Sequence, residues 1–144
     1  MKLVGTLHQL DADVAARRIG RYAGTFGLQG VLDQPTHTYS RGMRRKLSLI
    51  VSILHDPLYW LIDEPTEALD AAALRALKEL VEEQKRDGRA VLVATRKLGH
   101  ARAFCDRFVI LREGRVVFDG DPESLRRTIG AEPQSLDEVY EALA

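Results

Sequence analysis

Leu61-Ile62-Asp63-Glu64-Pro65-Thr66-Glu67-Ala68-Leu69-Asp70 decides how this chain is read. It closes an apolar run, Leu58 to Ile62, with two adjacent carboxylates. The run has strand length and predicts a buried strand over 58–63. Pro65 then breaks the ladder, since proline has no N–H to donate, and Asp70 is placed to cap the next helix. Asp63 and Glu64 therefore reach a loop from a strand tip, where phosphoryl-transfer proteins hold magnesium and position an attacking water. The Asp-Glu pair alone reads equally well as a strand end before a capped helix; the decapeptide as a whole favours the chemical reading.

Upstream, the pattern is helical. Val14, Ile19, Tyr22, Ala23 and Phe26 share a face of a helix over about 11–28, capped by Asp11 or Asp13 and stopped by Gly27. Residues 30–37 read as loop, punctuated by Pro35. A second helix runs from Ser40, an N-cap candidate, to about His55, with Met43, Leu47, Ile50, Val51 and Leu54 three and four apart. Its first turns carry Arg41, Arg44, Arg45 and Lys46, which as charges alone read as a solvated face.

Downstream, strands and helices alternate. Asp56-Pro57 leads into the strand at 58–63, and Leu74, Leu77, Leu80 and Val81 stripe a helix over about 71–87 that Gly88 closes. An apolar strand follows at 90–94, a helix at about 98–105 and a strand at 108–111, and then Glu113-Gly114 turns a hairpin into 116–118. Pro122 opens a helix to about Ile129, and an amphipathic helix with Leu136, Val139, Tyr140 and Leu143 ends the sequence. This order predicts an α/β fold with parallel strands and right-handed crossovers, preceded by two helices.

Bulk properties narrow the class further. The 144 residues are one domain's worth of chain, 45% hydrophobic and 29% charged, as in globular proteins. Lys plus Arg and Asp plus Glu are both 21, which gives no electrostatic footprint for a nucleic acid partner or an anionic membrane surface. The single cysteine, Cys105, forms no internal disulfide and fits a reducing, cytoplasmic setting. No apolar run approaches the ~20 residues of a membrane span.

Taken together, these residues resemble the C-terminal part of an ATP-binding-cassette (ABC) ATPase domain. Tyr39-Ser40-Arg41-Gly42-Met43 resembles the signature motif. Leu61-Ile62-Asp63-Glu64-Pro65-Thr66 resembles the Walker B strand with its catalytic glutamate, and Glu67-Ala68-Leu69-Asp70 the D-loop. Ala94-Thr95-Arg96 stands where the family has its switch histidine, and Cys105-Asp106-Arg107 with Ile110 to Arg115 resembles the cassette's closing strand and hairpin. Asp63 falls 23 positions after Ser40, in the family register. Met43-Arg44-Arg45-Lys46-Leu47 and Leu54-His55-Asp56-Pro57 look most like ATPase subunits of bacterial export-type transporters.

The resemblance implies a partial P-loop (RecA-like) ATPase core: a helical signature subdomain over 1–57, the C-terminal part of the core over 58–130 and a C-terminal helix over 131–144. It implies that Asp63 binds Mg2+ through water and Glu64 orients or deprotonates the attacking water. Ser40, Arg41 and Gly42 would meet the γ-phosphate of ATP held by an opposite subunit, and Asp70 would couple the two sites. It further implies a dimer with a complete or complementary ABC ATPase subunit, a transmembrane permease, and a peripheral place at the inner face of the cell membrane.

Three departures qualify these roles. The sequence contains no Gly-x-x-x-x-Gly-Lys-Ser/Thr loop to hold β- and γ-phosphates. Arg96 replaces the switch histidine, and a guanidinium can reach a phosphate but cannot accept a hydrogen bond, which favours a degenerate site. Arg41 replaces a glycine where close approach is needed; it either blocks docking or adds a charge contact. In the family sheet the strand entering the phosphate loop lies between those matching 90–94 and 108–111, so a slot is expected there. The leading expectation is a truncated or split transporter ATPase subunit, nearly inactive alone. A degenerate cassette paired with a complete ATPase is the alternative, and a soluble repair- or translation-type ATPase the lesser one.

Overall fold

The computed structural model describes residues 2–130 and 135–142. Its backbone divides into two compact units, Met1–Leu92 and Val93–Ala144. The fold is α/β with a parallel strand pair, as expected.

The first unit begins with a short helix, α1 (Lys2–Leu7), that the sequence did not announce. Gly5 explains the oversight. Glycine disfavours helix, yet a Cβ there would stand 3.2 Å from that of Ala15, so its bareness lets α1 lie close on α2 (Ala12–Thr25). Asp11, rather than Asp13, caps α2 by accepting from the amides of Asp13 and Val14. Gly27 ends it at φ 67°, a left-handed conformation that glycine adopts without strain. Two single 3-10 turns, Gln29–Val31 and Thr36–Thr38, then lead to α3 (Arg41–Ile53).

Strand β1 (Tyr59–Asp63) pairs with β2 (Ala90–Ala94) in a two-stranded parallel sheet, crossed over by α4 (Ala71–Arg86). The expectation of a buried strand over 58–63 is corrected for one of its faces. Its burial alternates, with Trp60 and Ile62 inward at 2% and 8% exposure and Tyr59 and Leu61 outward at 72% and 66%. Helix α3 packs against the inward face, where the Trp60 indole donates to Ser52 Oγ at 2.9 Å. Ile50, Ile53, Leu54, Leu77 and Val81 are all but fully buried. Asp56, itself left-handed at φ 63°, pairs with Arg18 at 3.0 Å and with Arg89, tying the α3 exit to α2 and to the approach of β2.

The second unit is a hairpin with helices packed on one face. A short α5 (Leu98–Ala101) ends earlier than the expected 98–105, because the amides of Ala103 and Phe104 fall back to i−3 carbonyls. Strands β3 (Phe108–Arg112) and β4 (Arg115–Gly120) pair antiparallel, with a register shift between Ile110 and Leu111. Glu113 and Gly114 both have positive φ, as a two-residue hairpin turn demands. Leu98, Ala101, Phe108, Ile110, Leu125 of α6 (Pro122–Ile129) and Val139 of α7 (Leu136–Ala142) form its core. Leu143 lies outside the described residues. Strands β2 and β3 belong to separate sheets.

Candidate functional site

The site is built where α3 begins. Ser40 caps the helix, its Oγ accepting from the Met43 amide at 3.1 Å. Tyr39 before it is buried, and its hydroxyl donates to the Val31 carbonyl at 2.6 Å, while Arg44 donates to the Tyr39 carbonyl. The Ser40 turn is therefore clamped from both sides.

The loop 63–70 is laid against that turn. A Cβ on Gly42 would stand 2.9 Å from the Ala68 carbonyl oxygen, so only glycine fits between helix and loop. Arg41, with its side chain 74% exposed, pairs with Glu67. Arg45 donates to the carbonyl oxygens of both Asp63 and Glu64. Lys46 reaches Asp70 at 2.7 Å, and its side chain is only 16% exposed. The reading of these four bases as a solvated face is thereby corrected for Arg45 and Lys46, which are partly buried against the loop, while Arg41 and Arg44 remain exposed, the one paired with Glu67 and the other bonded to the Tyr39 carbonyl.

Within the loop, Pro65 and Thr66 are buried and form its floor. Asp63 is exposed and Glu64 partly buried. Glu64 and Ala68 both have positive φ, 43° and 59°, uncommon for residues with a Cβ and concentrated at functional turns. Asp70 caps α4 by accepting from the Ala73 amide at 2.7 Å. The Lys46 hydrogen bond, followed by that amide, holds the Asp70 carboxyl below the usual carboxylate range.

Six of the seven residues singled out from sequence therefore fall in one cluster: Ser40, Arg41, Gly42, Asp63, Glu64 and Asp70. The seventh, Arg96, stands in the second unit, two residues past β2. Arg45, Lys46 and Glu67 were missed as site residues. The available signal was charge parity, since Arg41, Arg44, Arg45 and Lys46 match Asp63, Glu64, Glu67 and Asp70 in number.

Among the described residues no group of three or more His, Cys, Asp or Glu side chains is arranged to hold a metal ion. Magnesium needs no such group, because it commonly takes one or two carboxylates and completes its shell with water and phosphate oxygens. The exposed Asp63 carboxylate fits that sparse role. The N-terminus of α3, by its unpaired amides and dipole, suits an anion.

The family described as "ABC transporter" matches residues 4–67, a span holding both the Ser40 turn and Asp63-Glu64. The ABC-type transporter ATP-binding protein EcsA of Bacillus subtilis is 38% identical over 97% of this chain and 57% of its own length. YthP of the same organism, an uncharacterized ABC transporter ATP-binding protein, is 32% identical over 99% of this chain and 61% of itself. Among solved structures, an ATP-binding subunit of an ABC transporter superposes with TM-score 0.87 at 35% identity, over 99% of this chain and 59% of that one. The chain thus spans about three-fifths of the length of these relatives. By sequence and by fold together, it is similar, over that part of their length, to ATP-binding proteins of ABC transporters.

Proposed function

We propose that this chain is the C-terminal, signature-bearing part of an ATP-binding subunit of an ABC transporter, of the export type. It would contribute part of each of two ATP-hydrolysing sites, the water-positioning side of one and the signature of the other, and rely on other polypeptide for the phosphate loop. The observation carrying this reading is the cluster itself: Ser40 at a helix N-terminus and the Asp63-Glu64 pair, separated by 23 residues, are locked into one unit by bases of α3. The motif order and the residues around Met43 and His55 support the C-terminal and export-type assignments.

The chain's own residues then take distinct roles. ATP with Mg2+ supplies the electrophilic phosphorus and its charge neutralisation. Asp63 holds a water of the ion. Glu64 orients a water and accepts its proton, the task of a carboxylate within hydrogen-bond reach of a nucleophile. Ser40, Arg41 and Gly42 face the γ-phosphate of ATP on an opposing subunit, and Asp70 ties that surface to the water-positioning side. In such an assembly the chain sits at the inner membrane face on a transmembrane permease. No described helix is itself long and apolar enough to cross a membrane.

Alone, the chain lacks the groups that position a phosphate, and positioning with charge stabilisation is most of phosphoryl-transfer catalysis. Purified chain is expected to hydrolyse no ATP. Co-expressed with a polypeptide bearing the phosphate loop, it is expected to hydrolyse ATP, with Glu64→Gln and Ser40→Arg each abolishing the rate. Hydrolysis by the chain alone that Glu64→Gln abolishes overturns the proposal.

One observation favours a second reading, a non-catalytic cassette that completes a partner's site. Arginine occupies both the switch position, 96, and the signature position, 41, and Arg41 is engaged with Glu67 rather than presented freely. In that case Ser40→Arg suppresses the partner's ATPase activity and Glu64→Gln leaves it unchanged.

A further inference from the structure

Arg45 makes contacts that a surface charge has no reason to make. Its guanidinium reaches past the side chains of the acidic pair to their main chain and donates to the carbonyl oxygens of Asp63 and Glu64 together. Its Nε is buried without a hydrogen-bond partner. Leaving a buried donor unsatisfied is costly, so the two carbonyl bonds and the geometry they impose must outweigh it. Those carbonyls flank the point where Glu64 takes a left-handed backbone at φ 43°, a conformation that persists only where surroundings over-determine it.

We propose that Arg45 is a positioning residue: its Nη2, donating to both carbonyls, fixes the backbone of Asp63 and Glu64, thereby aiming the Glu64 carboxylate, and transmits any movement of the signature helix to it. The aiming half rests on the function proposed above; the backbone half does not. Both bonds leave one nitrogen, Nη2, whose two N–H groups are held at fixed directions in the guanidinium plane, whereas an ammonium turns freely on a flexible stem. Lys46, the next residue, grips the far end of the loop at Asp70, so α3 holds both ends of the segment that carries Glu64. A shift of α3 therefore cannot leave Glu64 where it was.

Carbon chemical shifts of Glu64, which report its left-handed φ, and Mn2+ titration followed by paramagnetic broadening at Asp63 and Glu64 provide the test. Full-length chain is compared with Arg45→Met and Arg45→Lys, with emission from Trp60 checking that the first unit is folded. Arg45→Met is expected to move the Glu64 shifts off their left-handed values and to raise the Mn2+ midpoint about tenfold, the scale of losing a supporting contact. Arg45→Lys, which restores a charged donor but not the fixed N–H directions, is expected to fall between the two, and the β3–β4 amides stay unchanged throughout. Unchanged Glu64 shifts in Arg45→Met overturn the proposal. So do shifts that move while the Mn2+ midpoint stays, since Arg45 would then be only a structural prop. If Mn2+ leaves Asp63 and Glu64 unaffected in the unsubstituted chain, the ion role itself fails, and surviving shift changes in Arg45→Met identify that as the failing part.

Discussion

Lys46 Nζ lies 2.7 Å from one carboxylate oxygen of Asp70, while the other accepts the Ala73 amide at the same distance. One carboxylate thus joins α3 to the start of α4. Its folded pKa is lowered, with the Lys46 hydrogen bond as the largest cause. The unfolded chain therefore binds this proton first as pH falls, so the stability Asp70 contributes is full above the ordinary value of 3.8 and is lost as pH drops through the lower folded value. Asp119, Asp121 and Glu123 are shifted the same way, by Arg107, by the Ser124 amide and by Arg126. Unfolding followed by circular dichroism should show a midpoint falling steeply below about pH 4, and Asp70→Asn should flatten part of that fall.

Gly42 is the tightest point of the cluster. A methyl there meets a backbone oxygen, Ala68 O, at 2.9 Å, and a main-chain carbonyl cannot rotate away as a side chain can. Gly42→Ala should gain helix propensity and still lose net stability, by about 1 to 3 kcal/mol, as overpacked sites do. Chemical denaturation measures the loss, and the amide resonances of residues 66–69 should shift most.

The chain's one tryptophan reports on the first unit. Trp60 is 2% exposed and its indole N–H is satisfied by Ser52 Oγ at 2.9 Å. Native emission should accordingly be blue-shifted and should move red on unfolding. Ser52→Ala orphans that buried donor and should cost about 1 to 3 kcal/mol, with the native spectrum nearly unchanged because the ring stays packed.

Much of this architecture was legible because local signals agreed with the fold. Asp70 and Ser40 cap helices where short polar side chains precede apolar stripes, Pro122 opens its helix, and β2 falls on the residues its apolar run marked. What escaped was long-range. Apolar content alone could not tell that Tyr59 and Leu61 face outward, since a run of apolar residues has the same appearance whether one face is covered or two. The partners of Arg45 and Lys46, 18 to 24 residues away, depend on how α3 packs against the loop. α1 was hidden by Gly5, whose value lies in contact with α2 rather than in helix propensity.

His8 and His55 stack with ring centroids 4.0 Å apart and planes 9° apart. Burial, then His8, then Arg18 lower the His55 pKa from its ordinary 6.5, with Asp56 opposing them. Nδ1 of His55 is buried without a hydrogen-bond partner. Because the folded pKa is lowered, the unfolded chain takes up more protons below pH 6.5, so this pair's stabilisation is present above that pH and drains away as pH falls through and below it. His55→Gln should flatten the stability profile between about pH 5 and 7, and His8→Ala should move the His55 titration, followed by ring-proton resonances, upward.

The outward face of the parallel pair is apolar. Leu58, Tyr59, Leu61 and Leu92 are 70%, 72%, 66% and 64% exposed, and among the described residues β1 and β2 have only each other as ladder partners. Parallel sheets are ordinarily covered on both faces, and unpaired edges invite further pairing. With net charge zero, no long-range repulsion keeps copies apart. The purified chain is therefore expected to self-associate, with an unfolding transition that shifts with concentration and a sedimentation coefficient above that of a monomer. Replacing Tyr59 and Leu61 with lysine puts two charges on that face, leaves Trp60 and Ile62 packed, and should shift the population to monomer. A sharp transition of unsubstituted monomer that does not depend on concentration would show instead that one covered face is enough for this sheet.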